Sequence, residues 1–303
     1  MLLILKSKKK TGPKMKTFLR LMDKELVKEK TSYSVSSFEE IELFLDKESI
    51  RLLIDGKPLA NWSAIYTRKV GKNRGLAHIL AHLSKETDIH FIDRYHEQTK
   101  DSSDVAKVIQ MFRLANAGIS IPKTYFAGSY SKKHLRSAVA YLKLPVVIKE
   151  CNTSQGSGVF LAKNMRELEN TITERFSQDE KREIFLQEFI SNDFEYRVLV
   201  TGNKIAVTEK KTRSKAEEFR NNVHLGATEE FIDISKVSSR IKKEALLAAK
   251  VTDIQVAGVD IVERKDGSPV IFEVNSCPSF TLDSKVSPEI KRLAEYLTTC
   301  EKK

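Results

Sequence analysis

One hairpin near the end of the chain constrains the fold more than any other segment. Residues 256–263 and 269–275 read as two strands around the turn pair Asp266-Gly267. A turn centred there sets Asp260, six residues before Asp266, opposite Glu273, six residues after Gly267. Side chains alternate along a strand, so Asn275 shares the face of Glu273. The other face then carries Val259, Ile261, Phe272 and Val274, a continuous apolar layer. Two carboxylates opposed in a sheet repel unless something neutralises them. Two readings are open. A hard divalent cation, most simply magnesium, suits two carboxylates and an amide oxygen. Alternatively, an Arg or Lys from elsewhere neutralises the pair.

A second segment bears on phosphate chemistry. The run VVIKECNTSQGSGV places Lys149 at the end of an apolar strand, with Ser154, Gly156, Ser157 and Gly158 in the next turn. Small residues let backbone N–H groups approach phosphate oxygens. No GK[ST] follows and a strand comes next, so this is not a P-loop. By themselves such segments are more often an ordinary hairpin loop and a snorkelling surface lysine than a phosphate site.

The remaining pattern is mixed α/β. Strands are expected at 2–5, 51–55, 64–68, 144–150, 158–161 and 184–190, with a further hairpin, 196–201 and 205–210, around Gly202-Asn203. Helices are expected at 15–30, 76–83, from Asp104 to Gly118, from Asn164 to about 176, and at 236–250 and 288–298. In the third of these, Val105, Val108, Ile109 and Phe112 form the apolar face. Asn164 with Glu167 reads as a capping box. The polar stretch 94–104 marks a boundary. With 303 residues, the chain suits two or three lobes: 1–98, 99–187 and 188–303.

Composition narrows the function classes. Hydrophobic residues at 41% and charged residues at 31% argue against disorder, and no apolar run reaches the roughly 18 residues a membrane helix needs. The opening MLLILKSKKK puts its apolar run before its lysines, the inverse of a secretory signal. Three widely spaced cysteines, Cys151, Cys277 and Cys300, exclude a disulfide framework and a CxxC metal site and favour a reducing, cytoplasmic setting. Of the net charge of +11, +7 falls in residues 1–30, where ten Lys/Arg meet three Asp/Glu. That segment reads as a solvated lysine-rich helix face, or as a contact for nucleic acid, a ribosome or an acidic polypeptide. No zinc finger or stacking motif accompanies it. Arg68, Lys69, Lys72 and Arg74 form a basic loop that faces either an acidic substrate or solvent.

Several signals fall in order along the chain: Lys107, VVIKECNTSQGSGV, LQEFI, Glu195, FRNN, AGVDIV and IFEVNSCPS. This series resembles the ATP-grasp enzymes, and most closely the RimK-type ATP-dependent carboxylate–amine ligases, over about residues 105–280. The resemblance implies an ATP-grasp fold with an N-terminal α/β domain and two lobes clamping the nucleotide. It implies ATP and magnesium, with manganese the alternative metal. By position, Lys107 and Lys149 match the phosphate-holding lysines, and Ser154, Gly156 and Ser157 the phosphate-covering loop. Gln187, Glu188, Phe189 and Ile190 match the adenine segment, read through backbone groups. Glu195 matches the ribose-binding acid, often Asp in that family. Arg220 and Asn222 match the Arg-x-Asn that steadies the transferring phosphoryl group. Asp260, Glu273 and Asn275 match the metal ligands. Cys277-Pro278-Ser279 departs from the usual small-Pro-Gly ending.

The implied reaction joins a carboxylate to an amine through an acylphosphate, with glutamate and a peptide or protein tail as the family's common substrates. Rival readings are an ATP-grasp kinase, a nucleotide-binding protein without catalysis, and a nucleic-acid module working through residues 1–30. Nothing in the sequence sets the oligomeric state.

Overall fold

The computed structural model describes residues 1–8, 12–45, 50–71, 73–98, 107–151, 158–179, 183–213, 228–283 and 285–302. The first hundred residues run β1 (Leu2–Lys6), α1 (Pro13–Lys28), β2 (Tyr33–Ser37), β3 (Ile41–Leu45), β4 (Ile50–Ile54), β5 (Lys57–Pro58), β6 (Ala64–Arg68), α2 (Arg74–Glu86), β7 (His90–Ile92) and α3 (Tyr95–Gln98). β2, β1, β6 and β7 form a parallel sheet in that order, while β3–β5 make a small antiparallel sheet. The apolar run of β1 is buried on both faces, as parallel strands require. Leu2 and Ile4 pack towards α1, and Leu3 and Leu5 towards α2 and the small sheet. In α1, Met15, Phe18, Leu21, Met22 and Leu26 are buried, while Lys14, Lys16, Arg20, Lys24 and Lys28 face solvent. The basic segment is therefore the outer face of a core helix together with the central strand of a sheet.

The middle of the chain holds α4 (Lys107–Asn116), β8 (Thr124–Tyr125), α5 (Lys132–Leu142), β9 (Val146–Glu150), β10 (Val159–Ala162), α6 (Met165–Gln178) and β11 (Ile184–Glu188). Its antiparallel sheet has the order β10-β9-β11-β8, with α5 and α6 packed on it. The N-cap forms as expected, Asn164 Oδ1 accepting from the Glu167 amide at 3.0 Å, while Glu167 reaches one residue further back than in a capping box and accepts from the Lys163 amide.

The last third runs β12 (Phe194–Thr201), β13 (Lys204–Thr212), β14 (Thr228–Ile232), α7 (Ser239–Thr252), β15 (Val256–Glu263), β16 (Pro269–Asn275) and α8 (Glu289–Glu301). Its sheet has the order β14-β13-β12-β15-β16, all antiparallel. α4 and α7 bury one face through Met111, Leu114, Ile241, Ala245 and Ala248 against Val198, Val259 and Ile271. On the other face Leu199, Val207 and Val256 lie under α8, which also packs on α1 and the parallel sheet.

Two expectations need correction. The apolar face of α4 is only partly the one predicted: Val108 packs on the core with the buried Met111 and Leu114, whereas Ile109 and Phe112 are exposed, and Asp104 and Val105 lie outside the described residues. In this orientation Gln110 reaches the edge of β16 and satisfies the Val274 amide and carbonyl, which an outward Gln110 would leave unpaired. The second correction concerns the hairpin. Its loop is Arg264–Ser268, closed by the Ser268 carbonyl accepting from the Arg264 amide, so beyond it Ile261 faces Ile271. A β-bulge then restores the register, and Asp260 still faces Glu273. The extra residue is Phe272. It leaves the predicted apolar layer, where Ile271 takes its place, and packs with Ile190, Val262 and Val270.

Candidate active site

The polar face of the five-stranded sheet carries a ladder of charge. Cross-strand pairing places Glu209, Arg197, Asp260 and Glu273 side by side on β13, β12, β15 and β16. The next row holds Glu195, Lys211 and Glu229 on β12, β13 and β14. Signs alternate from Glu209 through Arg197 to Asp260 and along the second row, which stabilises the pairing, while Asp260 and Glu273 remain adjacent like charges.

Asp260 is 6% exposed and grips Arg197 through both oxygens, Nε at 2.7 Å and Nη2 at 2.8 Å. Asn275 Nδ2 donates to the same carboxylate at 3.1 Å. Against the desolvation that burial imposes, Arg197 holds the Asp260 carboxyl below the usual range. Glu273 is less enclosed, with Lys107 Nζ 3.6 Å away. The neutralising cations anticipated from sequence are thus present. The three side chains nevertheless supply hard oxygen donors on two adjacent strands, the donor chemistry that magnesium prefers. Among the described residues no group of three or more His, Cys, Asp or Glu is placed to hold a metal ion.

Lys149 comes from the other lobe, near the end of β9, with Nζ 5.4 Å from the centre of the Phe272 ring. Desolvation brings its ammonium down to about 8, Lys107 acting in the same direction and Glu273, Glu195 and Asp260 opposing. The lysine that sequence left open to a snorkelling role therefore faces the carboxylates. Ile190 packs on Phe272, which brings the Gln187–Ile190 stretch to the same place. Gln187 is buried, with Nε2 donating to Thr124 Oγ1 at 2.9 Å. Glu188 accepts from the Lys123 amide at 3.0 Å and pairs with Arg264. Phe189 is half-buried, and Glu195 is 9% exposed. Ser154, Gly156, Ser157, Arg220 and Asn222 lie outside the described residues.

Sequence reasoning missed three contributors. Arg197 stands two residues after Glu195 and shares its face, a signal alternation alone offers, but its contact with Asp260 depends on a long-range strand pairing. Lys211, 3% exposed, lies 3.7 Å from Glu209 and 3.5 Å from Glu229. Burial and the facing Glu289 push the Glu209 carboxyl upward. Gln110 pairs both ways with Val274, Nε2 to its carbonyl at 2.7 Å and Oε1 from its amide at 2.8 Å, and so closes the free edge of β16 between Glu273 and Asn275. Gln110→Leu is expected to cost about 1–3 kcal/mol by leaving both edge groups unsatisfied, read as a lower urea midpoint with unchanged slope.

A carboxylate–arginine ladder on the five-stranded sheet, faced by a desolvated lysine from the four-stranded antiparallel sheet and packed beside a parallel α/β unit, is the arrangement of the ATP-grasp fold. A family model for the RimK-like ATP-grasp domain matches residues 102–293. The chain belongs to the RimK-like ATP-grasp family. It is 34% identical over 180 residues to a probable alpha-L-glutamate ligase of Cellvibrio japonicus, a match covering 58% of this chain and 56% of that protein. A probable alpha-L-glutamate ligase of Vibrio atlanticus is 36% identical over 184 residues, with the same coverage. The chain thus spans about half the length of the curated relatives it matches. The fold resembles the ATP-grasp ligase PsnB complexed with a phosphomimetic variant of its minimal precursor, Mg and ADP, at a TM-score of 0.73 and 17% identity over 99% of this chain and 98% of that one. It also resembles the D-alanine–D-alanine ligase of Bacillus anthracis complexed with ATP, at a TM-score of 0.67 and 18% identity, covering 99% and 96%. Among the described residues no helix is long and apolar enough to cross a membrane.

Proposed function

We propose that the chain is an ATP-dependent carboxylate–amine ligase that forms an amide bond through an acylphosphate, adding an amino acid such as glutamate to a peptide or protein tail. The observation that carries this reading is the convergence of Lys149 and Lys107 on Glu273 and of Arg197 on Asp260, across two lobes of an ATP-grasp fold. The substrate carboxylate attacks the γ-phosphate of ATP and releases ADP. An amine then displaces phosphate from the acylphosphate. Lys107 and Lys149 hold phosphate oxygens, because phosphoryl transfer depends on position and charge neutralisation. Ser154, Gly156 and Ser157 cover the phosphates, Gln187–Ile190 cradle the adenine, and Glu195 takes the ribose. Arg220 and Asn222 steady the phosphoryl group as charge develops. Asp260, Glu273 and Asn275 hold magnesium, or manganese in its stead. When bound, the cation neutralises charge on the phosphates. The division at 98/99 and 187/188 belongs to this reading, as does a cytoplasmic setting, which the free cysteines suit.

The test is a phosphate-release screen of carboxylates with amines, with mass spectrometry of products. Amide product with free phosphate supports a ligase. Phosphate retained on the substrate identifies a kinase instead. No turnover with any pair defeats the reading.

Lys149 adds a pH signature. Its folded pKa lies below the ordinary lysine value of 10.5, at about 8, so the unfolded chain binds more protons between those values and stability rises with pH there. Phosphates favour the charged form. Mg·ATP binding near pH 8.5 is therefore expected to take up a proton, and affinity to fall as pH climbs towards 10. Calorimetry in buffers of different ionisation enthalpy measures the uptake. Lys149→Met abolishes it and weakens binding about tenfold or more.

A further inference from the structure

Arg68 ends β6 and is 6% exposed. Of the basic loop read from sequence, Lys69 and Arg74 are exposed and Lys72 lies outside the described residues, whereas Arg68 turns inward. Its Nη2 donates to the Pro278 carbonyl at 2.9 Å and its Nη1 to the Tyr66 hydroxyl at 3.3 Å. Its guanidinium carbon lies 4.4 Å from the Phe18 ring centre and 4.5 Å from that of Phe280. Its Nε is buried with no hydrogen-bond partner. Arg175 and Arg197, also largely enclosed, each pair with a carboxylate. Arg68 pairs with none among the described residues. Glu289 acts on it only through longer-range charge, and a guanidinium, which stays charged in a protein, is costly to bury without a contacting counter-ion.

The place of Arg68 in the fold is that of a ligand site. In the sheet order β2-β1-β6-β7 the direction of winding reverses at β1, so Arg68, at the carboxyl end of β6, stands at the switch point where open parallel sheets take ligands. Lys6, the last residue of β1, is the register partner of Arg68. The opposite wall is the segment leaving β16. Pro278, three residues after Asn275, sits so close to Gly258 that a Cβ there would lie 2.8 Å from the proline Cβ. Arg68 thus stands between the parallel sheet and the end of the strand that carries Asn275.

The geometry points to Arg68 as the anchor for a non-reacting carboxylate of the substrate, borne by an α-amino acid or by an acidic peptide end. The inference rests on the ligase reading and specifies one of its substrates. The planar guanidinium matches the two oxygens of a carboxylate, and a site built on that match rejects the amide. A brace for the Pro278 turn has no such selectivity, so acid-over-amide preference separates the two roles.

The experiment is calorimetric titration of the full chain with L-glutamate, with glutamine and with glutamate α-amide, each with and without Mg·AMPPNP. The wild type is expected to bind L-glutamate, with one amide about tenfold weaker or more. Arg68→Met is expected to weaken L-glutamate about thirtyfold, erase the acid-over-amide preference and leave Mg·AMPPNP affinity within about twofold. Arg68-dependent binding of N-acetyl-Glu-Glu tighter than that of L-glutamate assigns the carboxylate to a peptide end; the reverse order assigns it to a free amino acid. If Arg68→Met does not unfold cooperatively in urea, Arg68→Lys decides, with an expected loss of about tenfold. Wild-type affinity in a folded variant, an undiminished acid preference, or no L-glutamate binding by the wild type overturns the assignment. Loss of Mg·AMPPNP binding in the wild type defeats the ligase reading instead, and Arg68-dependent glutamate binding without nucleotide then still stands.

Discussion

Glu273→Ala is expected to abolish magnesium-dependent ADP release, by on the order of a thousandfold or more, while the protein stays folded. The Glu273 side chain is 34% exposed, and its partner in the structure is Lys107 at 3.6 Å. Partly exposed pairs of this kind contribute about 1 kcal/mol or less. Asp260→Ala is expected to lose activity equally but to unfold more easily, by about 3–5 kcal/mol, because it strands the buried guanidinium of Arg197. Two substitutions with the same kinetic effect and different stabilities separate chemistry from scaffolding. ADP assays with urea denaturation of each variant make the comparison. Undiminished ADP release from either variant removes the pair from the reaction.

Arg197→Met carries the second large effect. It leaves the Asp260 carboxylate buried without its bidentate partner, at a cost of about 3–5 kcal/mol near neutral pH. The dependence on pH has a definite sign. In the native chain the Asp260 pKa is depressed, so the stability it confers is present above the ordinary carboxylate range and fades as pH falls. In the variant the same carboxyl is raised by burial, and protonation relieves it. The stability gap between the two proteins should therefore be small near pH 3 and widest near pH 7. A double substitution, Arg197→Met with Asp260→Leu, is expected to recover most of the loss, since no charge remains unpaired. Urea midpoints across pH measure all three proteins. A gap independent of pH rules out the ion pair as its source.

Much of the site was legible because local rules determine it. Hairpin register and strand alternation put Asp260 opposite Glu273 and beside Asn275, and the structure keeps that arrangement. It does so through two compensating irregularities. The five-residue loop moves the register by one, and the bulge at Phe272 moves it back. Phe272 itself was misplaced, because a bulge depends on what each strand meets across the sheet, and Ile190, Val262 and Val270 meet it on the polar face. The strands β2, β3, β7, β8 and β14 and the helix α5 carried signals too weak to read, being short or edge elements stabilised mainly by what they pack against.

The amino-acid sequence alone determined the alternation of strands and helices, the hairpins and the carboxylate trio, since these depend on neighbours a few residues apart. Only the tertiary structure decided what neutralises the trio. Arg197 lies 63 residues from Asp260, Gln110 lies 164 from Val274, and Arg68 lies 210 from Pro278. No periodicity encodes contacts at such separations. They arise when the sheets close on shared cores and force particular side chains to share a dry space, where a polar or charged group needs a partner that the local sequence does not supply.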